Sequence, residues 1–294
     1  MKVCLVCRHR FQAPAWACPA CGRSPAVRGR YPAFAPDETE AVDSYDAACF
    51  SRLAALEAGN FWFEARNRLL VWALHRYFQT ARSFLEIGCG TGFVLAGIRR
   101  AFPALALAGA EIFSEGLAHA GERAPGAALF QMDARRMPFE EEFDVVGAFD
   151  VLEHIEQDVT VLSEMFRAVR PGGGIMLTVP QHPFLWSRVD EHARHKRRYT
   201  RGELIGKVRG AGFEIARATS FVSLLLPAMA ISRIAAGTAR RSDPLPELGM
   251  GPRMNAALTR VLAVERTLIE RGVSFPAGGS LLVVARKREA AARS

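Results

Sequence analysis

From residue 83 onward the chain alternates between two hydrophobic periods. Short aliphatic runs (SFLEIG, LALAGAEI, AALFQM, FDVVGAF, GIMLTVP and FEIARATS) read as strands. Amphipathic stretches at 92–102, 114–122, 157–170 and 201–211 read as helices between them. Such alternation predicts an α/β fold whose mainly parallel sheet is covered by helices on both faces. Upstream, Phe61, Leu69, Leu70, Leu74 and Phe78 recur at helical spacing over 45–80, which predicts two helices broken at Gly59-Asn60. Residues 221–278 form a long insertion before a last strand, SLLVVARK.

The first strand runs into Glu86-Ile87-Gly88-Cys89-Gly90-Thr91-Gly92, and a helix follows from Phe93. Glycines at this junction allow a tight turn and a close backbone approach to a ligand. Glu111 closes the second strand, where its carboxylate can accept ribose hydroxyls. The spacing is GxGxG, with Phe93 where a dinucleotide fingerprint wants Gly or Ala. Glu86 would repel a pyrophosphate but suits an ammonium group. S-adenosylmethionine carries an ammonium, a ribose and a sulfonium without phosphate, so the loop argues for that cofactor over NAD. Asp133 and Ala134, after the third strand, are placed to meet an adenine.

Charge and cysteines change the picture at the N-terminus. The 294 residues carry a net charge of +8, which is unevenly placed. Residues 1–30 hold six basic residues and no acid, and 188–201 hold six against Asp190 and Glu191. Cys4-x2-Cys7 and Cys18-x2-Cys21 have the spacing of two metal knuckles, and four thiolates make a closed, structural Zn²⁺ site. A disulfide-stapled knuckle is the alternative. The expected organisation is a zinc module over 1–30, a linker over 31–44 and one α/β domain over 45–294. Cys49 and Cys89 read as small apolar fillers.

The chain start, MKVCLVCRHR, lacks a leader's apolar stretch, and the run from Phe221 to Ala236 is broken by Ser223, Pro227, Ser232 and Arg233. A cytoplasmic protein without a transmembrane span is expected. Contact of that run with a membrane periphery, an apolar substrate or a second copy in a homodimer stands beside burial as an alternative.

EIGCGTG, Glu111, MDA, FDVVGAFDVLEHI and RAVRPGGG together resemble the class I S-adenosylmethionine-dependent methyltransferases, in the style of those of ubiquinone and menaquinone biosynthesis. The resemblance implies a Rossmann-like, seven-stranded sheet with an antiparallel last strand. It places Glu86, Gly88 and Gly90 at the methionine end of the cofactor and Glu111 at the ribose. Asp133 and Ala134 fall at the adenine, and Asp150 beside the methyl-transfer site. His154 and His182 follow the fourth and fifth strands and are the candidate general bases, with loop or capping roles as the alternative. Asp190, His192 and His195 hint at a metal, but their basic neighbours argue against one. Arg197-Arg198-Tyr199 could attract an anionic acceptor, and FWFEARN (61–67) could form a lid over the cofactor. The expected acceptor is a small or lipid-linked molecule methylated on oxygen or carbon. RNA, held by the basic zinc module, and a non-catalytic cofactor-binding protein are the rival readings.

Overall fold

The aliphatic runs all enter one sheet of the protein, a computed structural model that describes residues 1–36, 47–236 and 251–289. Its main strands are β5 (Ser83–Ile87), β6 (Ala106–Glu111), β7 (Ala128–Gln131), β8 (Phe143–Phe149), β9 (Val169–Pro180), β10 (Glu214–Phe221) and β11 (Ser280–Arg286). Two shorter strands, β3 (Ala26–Arg28) and β4 (Tyr31–Ala33), extend it, giving the order β10-β11-β9-β8-β5-β6-β7-β4-β3. Strands β5 to β9 pair in parallel, and β11 inserts antiparallel between β9 and β10.

Strand alternation divides the core into two layers. Leu85, Ile87, Leu281 and Val283 face one side, against Val161, Leu162 and Met165 of α5 (Asp158–Ala168) and Leu204 and Val208 of α7 (Arg201–Gly210). Phe84, Leu282 and Val284 face the other. There they meet α2 (Phe61–Tyr77), α3 (Phe93–Ala101), α4 (Ser114–Arg123) and α9 (Pro252–Glu270) through Leu74, Leu95, Leu117 and Ile269. The short α6 (Arg188–His192) lies in the loop after β9, and α1 (Ala47–Glu57) precedes α2, with the break at Gly59-Asn60 as expected.

The N-terminal segment docks on the far edge of the sheet, where residues 26–33, across the expected boundary of module and linker, form a hairpin. Strand β4 pairs in parallel with β7 through Ala33 and Gln131. The Gln131 side chain fastens that junction by donating to Ala35 O (2.7 Å) and accepting from Ala35 N (3.1 Å). β1 (Lys2–Val3) and β2 (Arg10–Phe11) make a separate ribbon, and Trp16 packs edge-on against Phe34, Phe130 and Phe139. The sheet thus contains the seven expected strands plus two from the N-terminal segment.

In the insertion, α8 (Leu226–Ala236) leaves Ile231 exposed, while α9 packs along α2. Residues 37–44 of the expected linker, 237–250 of the insertion, the C-terminal tail from 290 and the Cys49 side chain lie outside the described residues. Among the described residues, no helix is long and apolar enough to cross a membrane.

Candidate active site and cysteine cluster

At the carboxyl ends of β5 and β6 the glycine loop turns through Gly88, Gly90 and Gly92, all with left-handed φ. At Gly92 (φ +75°) a Cβ would lie 2.6 Å from the Ala120 Cα, so the loop closes directly on α4. Gly90, by contrast, has nothing within 4 Å on its Cβ side, which leaves backbone facing open space. The loop is held from both sides. Glu111 Oε2 accepts from Gly90 N (2.9 Å) and its Oε1 from Ile112 N (2.8 Å) and Phe113 N. Burial raises the Glu111 pKa, and these amides act against the rise.

Glu86 sits beneath the loop, almost fully buried. One carboxylate oxygen, Oε2, has no hydrogen-bond partner. Burial drives its pKa well up, opposed chiefly by the charge of Arg66. A buried carboxylate oxygen without a donor fits an incoming ammonium group, as S-adenosylmethionine would supply.

Helix α2 crosses this end of the cleft. Asn60 caps it by accepting from Trp62 N, and Asn67 Nδ2 donates to Phe93 O (3.0 Å), which ties α2 to α3. Phe61 and Phe63 are buried, while Arg66, stacked on Trp62, forms an ion pair with Asp150. FWFEARN is therefore both core and wall, and Arg66 is its contribution to the site. Asp150 has φ +58°, a strained conformation for a non-glycine residue at the end of β8. A second clamp was not legible in the sequence: Glu57 of α1 accepts from Thr91 Oγ1 (2.6 Å) and pairs with Arg123, which also reaches Ala54 O.

Asp133 lies where expected after β7, and its carboxylate is held by Arg135, which donates from Nε to both oxygens. Ala134 is buried beside it. His182 has φ +64°, and its Nε2 is buried without a partner. Burial, then Arg198, lowers its pKa. His154 packs edge-on against His195, and burial together with that neighbour lowers its pKa to about 4, which makes it a weak proton acceptor.

The basic cluster expected to attract an anionic acceptor is used internally. Arg197 pairs with Asp158, and Arg198 donates to Asp190 and Gln181 O. Tyr199 is fully buried with its hydroxyl on Asp158 (2.7 Å). Asp190, which also caps α6 and accepts from His195 Nδ1 (2.8 Å), has its pKa pulled down to about 2. Burial opposes that shift, and the contacts with His195 and Arg198 outweigh it.

At the other end of the protein, Cys4, Cys7, Cys18 and Cys21 converge. The Cys4–Cys21 and Cys7–Cys18 sulfurs are 3.7 and 3.6 Å apart. A tetrahedron with Zn–S bonds of about 2.3 Å has edges of about 3.8 Å, so the sulfurs fit a zinc ion. Both knuckles turn alike: Arg8 N donates to Cys4 O and Gly22 N to Cys18 O, each residue having left-handed φ.

Comparison with known proteins agrees with this geometry. Residues 85–177 match the methyltransferase domain family. A probable S-adenosylmethionine-dependent methyltransferase of Mycolicibacterium smegmatis is 27% identical over 169 residues, 55% of this chain and 63% of that protein. The ubiquinone biosynthesis O-methyltransferase of Pseudomonas fluorescens is 28% identical over 123 residues, 38% of this chain and 50% of that protein. The chain thus spans less than two thirds of the length of these relatives. Phosphoethanolamine N-methyltransferase 2 of Haemonchus contortus, solved with S-adenosylmethionine, shares the fold with a TM-score of 0.56 at 18% identity, covering 86% of this chain and 60% of that one. Residues 85–177 thus match the methyltransferase domain family, and the chain is similar to S-adenosylmethionine-dependent methyltransferases in sequence and to the solved methyltransferase in fold.

Proposed function

We propose that the protein transfers a methyl group from S-adenosylmethionine to oxygen or carbon of a small or lipid-linked acceptor. The observation that carries this reading is the partnerless Glu86 oxygen buried under an open glycine backbone. Glu86 receives the cofactor's ammonium, Gly88 and Gly90 line its methionine part, and Glu111 receives the ribose. Asp133 and Ala134 border the adenine, and Asp150 with Arg66 closes the methionine end. Displacement at a sulfonium depends mainly on alignment and exclusion of water, which the α1 and α2 clamps provide.

On the acceptor side, His182 opens a lip carrying the exposed Phe184 and Trp186. Those aromatics favour an acceptor with apolar surface, and the Pseudomonas relative's name, a ubiquinone-biosynthesis enzyme, is in keeping with one. His182 is the better base for an acceptor proton, because His154 holds one poorly. The four cysteines hold a structural Zn²⁺ that fixes the N-terminal ribbon against the sheet edge. Replacing Glu111 with Ala tests the cofactor assignment by calorimetry with S-adenosylhomocysteine. Affinity should fall at least about 10-fold in a variant with unchanged circular dichroism, and unchanged affinity would remove Glu111 from the site.

A further inference from the structure

Glu153, His154 and His195 form a cluster that cofactor binding does not use. After β8, a single 3-10 turn (Leu152–His154) carries Glu153 into the core, fully buried, with no hydrogen-bond partner on either carboxylate oxygen. One ring nitrogen of His154, one of His195 and one oxygen of Glu153 lie within 4.8 Å of one another. The surroundings of the two imidazoles differ. His195 Nδ1 meets the Asp190 carboxylate (2.8 Å), and the Ala193 backbone is the neighbour that favours the charged form of His154. With Nδ1 of His195 on Asp190, its Nε2 is left to offer a lone pair to a cation.

Burial pushes the Glu153 pKa well up, and neither of its oxygens has a partner, so the core holds a carboxyl whose charged form is left unpaired beside two imidazoles. Neighbouring cations do not relieve it: Arg66 is paired with Asp150, and Arg198 with Asp190. Of the positive neighbours, Arg197 and Arg198 are paired with other acids, while Lys196 remains a positive neighbour of His154. His192 is exposed on α6, outside the cluster.

We propose that Glu153, His154 and His195 bind one divalent transition-metal ion. Two imidazoles and one carboxylate are a ligand set for Zn²⁺, Mn²⁺, Fe²⁺ or Co²⁺ that leaves coordination positions open. Asp190 supplies to His195 the outer hydrogen bond that metal-ligating histidines characteristically make. The two histidines are only half-buried, so the open positions face out of the core. Glu153 sits in the turn that directly follows Asp150 at the end of β8, so the ion stands at the carboxyl edge of the sheet, on the same loop as the Arg66–Asp150 pair.

Resting on the methyltransferase reading, this selects an acceptor whose hydroxyl oxygen can coordinate a metal. The bound hydroxyl releases its proton to the acceptor-side base, His182. Its oxygen then forms the C–O bond as the C–S bond breaks, and that electron pair stays on sulfur.

Mn²⁺ tests the site directly, because it prefers oxygen and nitrogen to the thiolates of the cysteine cluster. Added to full-length, zinc-loaded protein, it should bind once per chain, read as loss of the free Mn²⁺ signal in electron paramagnetic resonance. Glu153→Gln and His195→Gln should each weaken binding at least about 10-fold. Circular dichroism checks each fold, and if Glu153→Gln does not fold, His195→Gln decides. Absence of Mn²⁺, Co²⁺ and Zn²⁺ binding beyond the cysteine-held ion, or affinity unchanged by the substitution, overturns the proposal. S-adenosylhomocysteine calorimetry on wild type separates the two readings: cofactor binding without metal binding sinks only the metal site, and metal binding without cofactor binding sinks only the methyltransferase reading.

Discussion

Replacing Arg123 with Met removes the partner of a carboxylate that cannot escape to water. Glu57 is 4% exposed, and its Oε2 takes both the Arg123 guanidinium and the Thr91 hydroxyl. Arg123 also donates to Thr91 Oγ1 (2.8 Å) and Ala54 O (2.6 Å), so one substitution empties three contacts between α4, α1 and the glycine loop. Breaking a buried pair from one side costs about 3–5 kcal/mol, because the remaining charge stays desolvated. The low end, about 3 kcal/mol, is a more than 100-fold change in the folded-to-unfolded ratio. Glu57→Gln should cost less, about 1–2 kcal/mol, since the Arg123 side chain is 24% exposed and can turn to solvent. The double variant should recover part of the Arg123→Met loss. Urea unfolding of zinc-loaded protein, followed by circular dichroism, measures all three. A loss below about 1 kcal/mol for Arg123→Met, or an equal loss for Glu57→Gln, would refute the clamp.

Two further outcomes follow from other parts of the fold. Stripping zinc with a chelator should unfold the N-terminal ribbon and uncover Phe130 and Phe139 beneath Trp16, increasing binding of an apolar dye while β5 to β11 persist by circular dichroism. A dye signal that does not change would mean the cysteines do not hold the ribbon in place. Asp158, bonded to Lys207 (2.6 Å), Tyr199 and Arg197, has its pKa lowered: burial opposes ionisation, and these partners outweigh it. Its contribution is therefore present above the unfolded-state value near pH 4 and is lost as pH falls through the folded one. Asp158→Asn should be less stable than wild type at pH 7, with the gap closing below about pH 4, and a pH-independent gap would contradict the assignment.

The sheet was legible because each strand is a short aliphatic run and each helix an amphipathic one. The antiparallel last strand came from the family resemblance, not from periodicity. β3 and β4 escaped because AVRGRYPA shows no alternation and carries Pro32. Their pairing depends on Gln131, about a hundred residues away. In the site, Glu86 and Glu111 stood out because each is adjacent to a strand-to-helix turn. Glu57 and Arg123 did not, since their partners are distant in sequence, and Arg66 was legible as part of FWFEARN but its pairing with Asp150 was not. Arg197 and Arg198 looked available for an anion because sequence does not reveal Asp158 and Asp190 turned toward them. Glu153 was not singled out in the sequence, since a lone carboxylate beside a histidine carries no signal and only the fold shows it buried without a partner.

The most direct test compares S-adenosylhomocysteine with its deaminated analogue, which differs only in lacking the ammonium group. If Glu86 Oε2 receives that ammonium, calorimetry on the zinc-loaded wild type should show the deaminated compound binding roughly 10- to 100-fold more weakly, the worth of a charge-assisted buried hydrogen bond. Glu86→Gln should narrow that difference. Equal affinity of the wild type for the two compounds would contradict the account.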